Sequence, residues 1–135
     1  MEKKNNIRWI EKRDISIIDG WWPHWNEKPI IHELLPENGY GVLVIEREGK
    51  IVAACYVYLT NSNMGYVDFL ISDPKWKARD RWSVLLELFE ACYDLAKESG
   101  CTEVWATSLI PGVIKRCAAL GYTVSEEPHH IIFSK

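Results

Sequence analysis

Residues 67–104 read VDFLISDPKWKARDRWSVLLELFEACYDLAKESGCTEV, and the changes of pattern within this stretch decide the fold. An apolar, β-rich run leads into the loop SDPKWKARDRW at residues 72–82. From residue 81 to residue 99, apolar side chains recur at three- and four-residue spacings, which predicts an amphipathic helix. The side chains concerned are Leu85, Leu88, Phe89, Cys92, Leu95 and Ala96. Gly100 is placed to end this helix, and TEVWATS predicts the strand after it.

The stretch before residue 67 predicts a hairpin and then a third strand. YGVLVIEREGKIVAACYVYLT, at residues 40–60, holds two β-rich runs around REGK, whose Glu-Gly centre suits a tight hairpin turn. NSNM gives another turn, and GYVDFLIS gives the third strand. These three strands predict an antiparallel meander.

The two ends of the chain supply the remaining elements. NIRWI predicts a first strand, and RDISIIDGWW predicts a short helix that Gly20 and Pro23 stop. The other predictions are a short helix in PIIHELLPENGYG that a Pro/Asn/Gly turn ends, a short helix in PGVIKRCAAL and a closing strand pair in YTVSEEPHHIIFS. The predicted order is β-α-α-β-β-β-α-β-α-β-β, a mixed α/β sheet with flanking helices. Residues 1–135 are expected to form a single domain.

Composition narrows the class of protein. Of the 135 residues, 47% are hydrophobic and 26% are charged, which is typical of a globular domain. No apolar run is long enough to span a membrane, and MEKKNNIRW does not have the form of a signal peptide. The net charge of −3 argues against a general nucleic-acid binder. A contact of single strands with the basic loop and with Trp76 and Trp82 stays open as a weaker alternative.

The cysteines and histidines do not predict a metal site. The four cysteines form no C-x-x-C pair, and the four histidines have no zinc-type spacing with them. Buried free thiols in a reducing cytoplasm are the simplest interpretation.

In its element order and in three local sequences, the chain resembles the GNAT superfamily of N-acyltransferases over nearly its whole length. EREGKIVAACYVY is similar to the hairpin of that family. Residues 67–104 are similar to its acidic strand residue, apolar pair, Asp-Pro, aromatic, basic loop and helix. KRCAALGYTV is similar to its short helix with a Leu-Gly-aromatic step. GWWPHW followed by ELLPENG also looks like small GNAT-type proteins carried by phages.

The resemblance implies a site for acyl-coenzyme A, with acetyl-coenzyme A as the co-substrate. It places the pantetheine arm on the backbone of Phe69, Leu70 and Ile71, at a strand that splays from its neighbour. It places the pyrophosphate on the loop and the start of the following helix, at Lys77, Ala78, Arg79, Asp80, Arg81, Trp82 and Ser83. Backbone N–H groups and the helix dipole make such a place attractive to anions.

The loop departs from the pattern of the family, which reads basic-Gly-x-Gly-x-Gly or ends with Ala. Ala78, Asp80 and Trp82 stand at the three glycine positions. Glycine permits close backbone approach and positive φ, and the carboxylate of Asp80 would repel a phosphate. Two interpretations remain open: the loop holds phosphate through its basic side chains, or it is a solvated turn.

Two residues are candidates for the chemistry of acyl transfer. Asp68 matches a position where many GNAT enzymes carry Glu, and strand alternation places it on one face with Tyr66, Leu70 and Ser72. It is the candidate base, and the alternative is a carboxylate bonded to nearby backbone N–H groups. Cys117 stands where the resemblance places a Tyr acid, and the alternative for it is core packing.

The acceptor side of the cleft is expected near four residues of the Trp-rich segment, Trp21, Trp22, His24 and Trp25. Aromatic rings there could stack on a base, a sugar or a cation. A small amine, a protein and a second copy of the chain in a homodimer all stay open as what this surface contacts.

The resemblance, together with the positions where this sequence differs from the family pattern, leads to two candidate functions. The first is an N-acyltransferase in which an amine directly attacks acyl-coenzyme A. The second is a non-catalytic GNAT-fold binding module, such as a phage protein that contacts a host or virion partner, with a degenerate coenzyme A loop.

Overall fold

The computed structural model describes residues 5–25, 32–108, 110–127 and 132. Within them the strands are β1 (Asn5–Trp9), β2 (Val42–Arg47), β3 (Lys50–Leu59), β4 (Met64–Ser72) and β5 (Glu103–Trp105). The helices are α1 (Lys12–Asp19), α2 (Arg81–Glu98) and α3 (Pro111–Ala119). The predicted class is confirmed, because the strands form a mixed, mostly antiparallel sheet with flanking helices.

The strands lie in the sheet in the order in which they occur in the sequence. The predicted meander is confirmed, since β2 pairs antiparallel with β3 and β3 with β4. Between β2 and β3, Glu48 and Gly49 have φ of 54° and 79°. Two successive positive φ angles make a type I′ turn, the tight turn that suits a twisted hairpin. Only β5 joins in parallel, beside β4.

The long helix predicted after the basic loop is confirmed as α2. Its buried side chains are Val84, Leu85, Leu88, Cys92 and Ala96. They pack on one face of the sheet, and this burial supplies most of the stability of such a helix. Gly100 has φ of 102° and ends the helix as predicted. None of the helices in the described part of the chain is long and apolar enough to cross a membrane.

The other face of the sheet is covered by α1 and the turn that follows it. Ile18, Trp21 and Trp22 pack there on β-strand side chains that include Tyr56 and Ile71. The sheet therefore has an apolar layer on each side, and β4 contributes to both layers.

The second short helix predicted in residues 29–41 is wrong for the described part of that stretch. His32–Leu34 and Pro36–Gly39 form two separate 3₁₀ turns. The predicted Pro/Asn/Gly turn is present as the second of these, and its Gly39 has φ of 95°. Pro36 has no N–H for a helical hydrogen bond, so the turn before it does not continue as a helix. Residues 29–31 lie outside the described residues.

The closing strand pair predicted for residues 122–134 is wrong for residues 122–127, which form no strand. Tyr122 packs edge-on against Phe89 and Tyr93 of α2, with ring centroids 5.5 and 5.4 Å apart. These contacts hold the start of the segment against the helix. The remainder of the predicted pair, except residue 132, lies outside the described residues.

Candidate functional site

The candidate site is a gap that opens between β4 and β5. The two strands pair only at Met64↔Glu103, Gly65↔Val104 and Tyr66↔Trp105. From Val67 to Ser72, β4 continues along β3, and no described strand pairs with its other edge. An open strand edge presents backbone N–H and C=O groups to whatever lies beside it.

A β-bulge deforms β4 inside this gap. Phe69 and Leu70 together lie opposite Cys55 of β3. Phe69 has φ of 54°, a left-handed conformation that is strained for a bulky side chain. Strained backbone and bulges are common where a side chain must be aimed at a ligand.

Asp68 was predicted to share one face of β4 with Leu70, and the bulge makes this prediction wrong. Leu70 packs on the α2 side of the sheet, whereas Phe69 turns to the α1 side. There the Phe69 ring lies 6.0 Å from the rings of both Trp22 and Tyr56, in edge-on contact. Simple alternation failed because the extra residue of the bulge reverses the order of the faces.

Asp68 is half-buried beside the bulge, and both of its carboxylate oxygens accept hydrogen bonds. The Phe69 N–H donates to Oδ1 at 2.7 Å, and the Tyr66 hydroxyl donates to Oδ2 at 3.1 Å. Burial raises the pKa of Asp68, and the two hydrogen bonds oppose this rise without cancelling it. The backbone bonding considered as an alternative is therefore present. It coexists with a raised pKa, which is typical of a carboxylate that accepts protons.

Tyr66 and Thr107 belong to the same network and were not predicted as site residues. The Tyr66 hydroxyl lies 2.7 Å from Thr107 Oγ1, so it joins β4 to the chain after β5 where the strands part. Burial raises the pKa of Tyr66, and the carboxylate of Asp68 adds to the rise. The phenol therefore stays protonated near neutral pH. Its spacing of two residues from Asp68 was a usable signal, whereas Thr107 had none.

The loop after β4 is built without left-handed residues. No described residue from Asp73 to Trp82 has a positive φ. The backbone therefore needs no glycine here, although the resemblance placed three glycines in this loop. Ala78, Asp80 and Trp82 are compatible with the loop because none of these positions has a backbone conformation that requires glycine.

The loop still presents features that attract an anion. The N–H groups of Lys77, Ala78 and Arg79 have no hydrogen-bond acceptor among the described residues. The side chains of Lys77 and Arg79 are exposed and form no ion pair with any described residue. They come directly before the positive end of the α2 dipole. Free amides, two cations and a helix N-terminus together suit a phosphate group.

Asp80 was expected to repel a phosphate, but its charge has a partner. Its Oδ1 accepts a hydrogen bond from Arg47 Nη1 at 2.9 Å, and Arg47 is only 7% exposed. This ion pair offsets the repulsion that an isolated carboxylate would exert. Arg47 lies 33 residues earlier on β2, so the loop sequence contained no sign of it.

Arg81, one of the predicted phosphate ligands, is engaged within the fold. Its guanidinium donates to the Trp76 carbonyl oxygen at 3.0 Å and to Ser72 Oγ. It also lies 5.5 Å from the ring centroids of both Trp25 and Trp76. Lys77 and Arg79 are therefore the predicted cations whose charges remain available to a ligand.

Trp82 and Ser83, at the start of α2, also make contacts within the fold. The Trp82 ring lies 4.1 Å from the guanidinium of Arg116, and a Cβ on Gly112 would come within 3.5 Å of it. Trp82 therefore joins α2 to α3. Ser83 Oγ donates to the Asp80 carbonyl oxygen at 2.8 Å.

Among the described residues, no hydrogen bond or electrostatic interaction joins Cys117 to Asp68. Its charged and polar neighbours are Glu90 and Tyr122, on the side of α3 that faces α2. Burial raises the pKa of the Cys117 thiol, and the carboxylate of Glu90 adds to the rise. The thiol is therefore protonated at neutral pH and does not form part of the Asp68 network.

The four aromatic residues predicted on the acceptor side divide into two groups. Trp21 and Trp22 are only 5% and 3% exposed and pack in the α1 layer, beneath Phe69. His24 and Trp25 lie at the surface. Trp25 Nε1 donates to the Ser72 carbonyl oxygen at 2.9 Å, so this ring lies at the loop end of β4.

Several solved structures share this fold. Glucosamine-6-phosphate N-acetyltransferase from Arabidopsis thaliana has a TM-score of 0.68 at 18% identity, over 97% of this chain and 99% of that one. An aminoglycoside N-acetyltransferase in complex with coenzyme A has a TM-score of 0.62 at 16% identity, over 100% and 96%. A transcriptional regulator from Bacillus halodurans has a TM-score of 0.68 at 14% identity, over 96% and 100%.

No protein-family model matches the sequence, and the curated proteins gave no match. Identities of 14–18% establish a common fold and leave the activity open. The parting of β4 from β5 agrees with the splayed strand that the resemblance implied. The chain therefore shares the fold of these acetyltransferase structures, and this is the fold that its resemblance to the GNAT superfamily implied.

Proposed function

We propose that the protein is an N-acyltransferase that moves an acyl group, acetyl in the simplest case, from acyl-coenzyme A to an amine by direct attack. The observation that carries the proposal is Asp68, a carboxylate of raised pKa at a strained bulge beside the open edge of β4. The candidate base therefore lies directly beside the strand edge to which the donor would bind. The fold neighbour solved with coenzyme A supports the choice of donor.

The donor is proposed to lie along the open edge of β4. Its amide arm would bond to those backbone groups within Phe69, Leu70 and Ile71 that face the gap, because that edge has no described strand partner. Its phosphates would lie on the free N–H groups from Lys77 to Arg79 and on the side chains of Lys77 and Arg79. Charge-assisted bonds from two cations replace the close backbone approach that glycines would give.

The reaction forms a C–N bond and breaks the C–S bond of the thioester. Asp68 accepts the proton that the attacking amine loses, directly or through a water. The leaving thiolate needs a proton in return. The Tyr66 hydroxyl, bonded to Asp68 at 3.1 Å, is a protonated donor within this network, whereas Cys117 lies beside Glu90.

The activity is tested by release of free coenzyme A from acetyl-coenzyme A in the presence of amines. A suitable panel contains a polyamine, an aminoglycoside, an amino acid and a lysine peptide, with the product identified by mass spectrometry. The expected result is thiol release that depends on one of these amines. Release equal to that without amine, across the whole panel, would count against acyl transfer.

Tyr66→Phe is expected to move the acidic limb of kcat/KM to higher pH. The Tyr66 hydroxyl stabilises the ionised form of Asp68, so its removal raises the pKa of Asp68 further. The limb is measured from kcat/KM against pH, with Tyr93→Phe as the control. Tyr93 packs on Tyr122, away from the network, and its variant should keep the limb in place. An unmoved limb in Tyr66→Phe would show that this hydroxyl does not control Asp68.

A second candidate is a non-catalytic binding module with a GNAT fold. It is favoured by the internal engagement of Arg81 and by the position of the Cys117 thiol beside Glu90. The exposed His24 and Trp25 would then contact a protein partner. This candidate predicts no specific binding of coenzyme A, so donor titration separates it from the first.

A further inference from the structure

The open edge of β4 already has an occupant from the chain itself. The Asp73 N–H donates to the Val52 carbonyl oxygen of β3 at 2.9 Å. Because successive residues of a strand direct their backbone groups to opposite edges, the Ser72 carbonyl points away from β3. Trp25 Nε1 donates to this carbonyl at 2.9 Å. The indole therefore covers the gap-facing edge where β4 meets the loop.

Two polar contacts with other described residues hold the Trp25 ring: the hydrogen bond to Ser72 and a cation–π contact. Its ring lies 5.5 Å from the guanidinium of Arg81, which Ser72 and Trp76 hold in place. The side chain is nevertheless 43% exposed, in contrast to the buried Trp21 and Trp22 of the same segment. One hydrogen bond and one partly exposed cation–π contact are weak enough for a ligand to displace.

The proposed donor needs the same edge. An arm that runs along β4 from the bulge to the loop bonds to the backbone groups that face the gap, and these alternate along the strand. Ser72 is the last residue of β4, directly before the loop that carries Lys77 and Arg79. A donor whose phosphates reach that loop must pass Ser72, where the indole now lies.

We propose that Trp25 is a built-in competitor of the acyl donor, which leaves the Ser72 carbonyl when the amide arm of the donor binds to β4. This inference rests on the proposed function, because it concerns the same donor edge. It gives a role to the one ring of the three-Trp segment that reaches the surface.

The test compares wild type with Trp25→Phe by calorimetric titration with coenzyme A. Phenylalanine keeps an aromatic ring for Arg81 but cannot donate to Ser72. The affinity is expected to rise about 3- to 10-fold, the effect of removing one competing hydrogen bond. The control is Trp9→Phe, because Trp9 is exposed on β1, and its affinity should equal that of wild type. Weaker or unchanged binding by Trp25→Phe would overturn the inference.

The movement of the Trp25 ring can be followed separately by NMR. The indole N–H resonance that disappears in Trp25→Phe identifies Trp25 in the NMR spectrum of wild type. Saturating coenzyme A is expected to shift this resonance and to speed its exchange with water. A bound protein with an unchanged Trp25 resonance overturns the inference and leaves the proposed function standing. Failure of wild type and of both variants to bind coenzyme A overturns the inference together with the proposed function.

Discussion

Asp68→Asn is expected to lower kcat for acyl transfer by about 10²- to 10⁴-fold, the range that a general base supplies. Asparagine keeps the size of the side chain. Its carbonyl oxygen can still accept the Phe69 N–H, and its amide N–H can donate to the oxygen of the Tyr66 hydroxyl. It cannot accept a proton from the amine. The affinity for the donor should stay unchanged, because Asp68 is not among the proposed donor contacts.

The measurement is steady-state kcat with acetyl-coenzyme A and the best amine, beside donor titration of the same variant. Asp94→Asn is the control, since Asp94 is exposed on α2 and its variant should keep full activity. Full activity in Asp68→Asn would make Asp68 a structural carboxylate of the bulge and remove it from the chemistry.

The stability of the same variant should change in the opposite direction. Burial raises the pKa of Asp68, which means that the fold disfavours its ionised form. Its contribution to stability is therefore present at low pH and is lost as the pH rises through the folded pKa. A neutral Asn avoids this loss, so Asp68→Asn is expected to melt at a higher temperature than wild type near neutral pH. Such an exchange of stability for activity is common at functional sites.

Asp14→Ala is expected to lower the free energy of unfolding by about 3 kcal/mol, the cost of breaking a buried ion pair. Asp14 is 2% exposed and accepts two hydrogen bonds from the guanidinium of Arg8, at 2.7 and 3.2 Å. It also accepts the Glu11 N–H at 2.7 Å, at the start of α1. The substitution leaves the Glu11 N–H and two donors of the Arg8 guanidinium without their acceptor, although Arg8 keeps its ion pair with Glu46 at 3.1 Å. Denaturant unfolding measures the change.

Arg13→Ala is the matched control for Asp14→Ala. Arg13 of α1 pairs with Glu11, the residue directly before the helix, but their side chains are 70% and 53% exposed. An exposed pair contributes at most about 1 kcal/mol, so this variant should unfold almost like wild type. Equal losses in the two variants would contradict a special contribution from the buried pair.

The Asp14 pair also sets an expected pH dependence. Burial alone would raise the pKa of Asp14, but the bonds from Arg8 and from the Glu11 N–H outweigh it and lower the pKa. Its stabilisation is therefore fully present above the unfolded pKa of about 3.9 and is lost as the pH falls through the folded value. The gap in stability between wild type and Asp14→Ala should narrow in acid. A constant gap would contradict this assignment.

The parts of the fold that depend on local pattern could be predicted. The period of α2, the Glu-Gly turn and Gly100 each act through neighbours in sequence, and the structure agrees with all three. The stretch at residues 29–41 shows the limit, because the Pro/Asn/Gly turn was predicted there, whereas His32–Leu34 form a 3₁₀ turn in place of the predicted helix. The bulge at Phe69 had no local signature, since it depends on pairing with β3.

The candidate site was predictable only in outline. Asp68 could be found from its strand and from the family pattern. The partners that define its neighbourhood come from distant parts of the chain, such as Thr107 for Tyr66 and Arg47 for Asp80. The engagement of Arg81 between Trp25 and Trp76 likewise depends on tertiary contacts. A single sequence shows which residues are available but not which of them are already bonded.

The central claim is that a loop without glycines still binds the acyl donor through Lys77, Arg79 and its free amides. Calorimetric titration with acetyl-coenzyme A tests it in wild type and in Lys77→Ala/Arg79→Ala. Lys12→Ala/Arg13→Ala on α1 is the control, because it removes the same charge from exposed positions elsewhere. Wild type and the control are predicted to bind alike, and the loop variant about 10- to 100-fold more weakly, the effect of two charge-assisted bonds. No binding by wild type, or equal affinity in all three proteins, would contradict the claim.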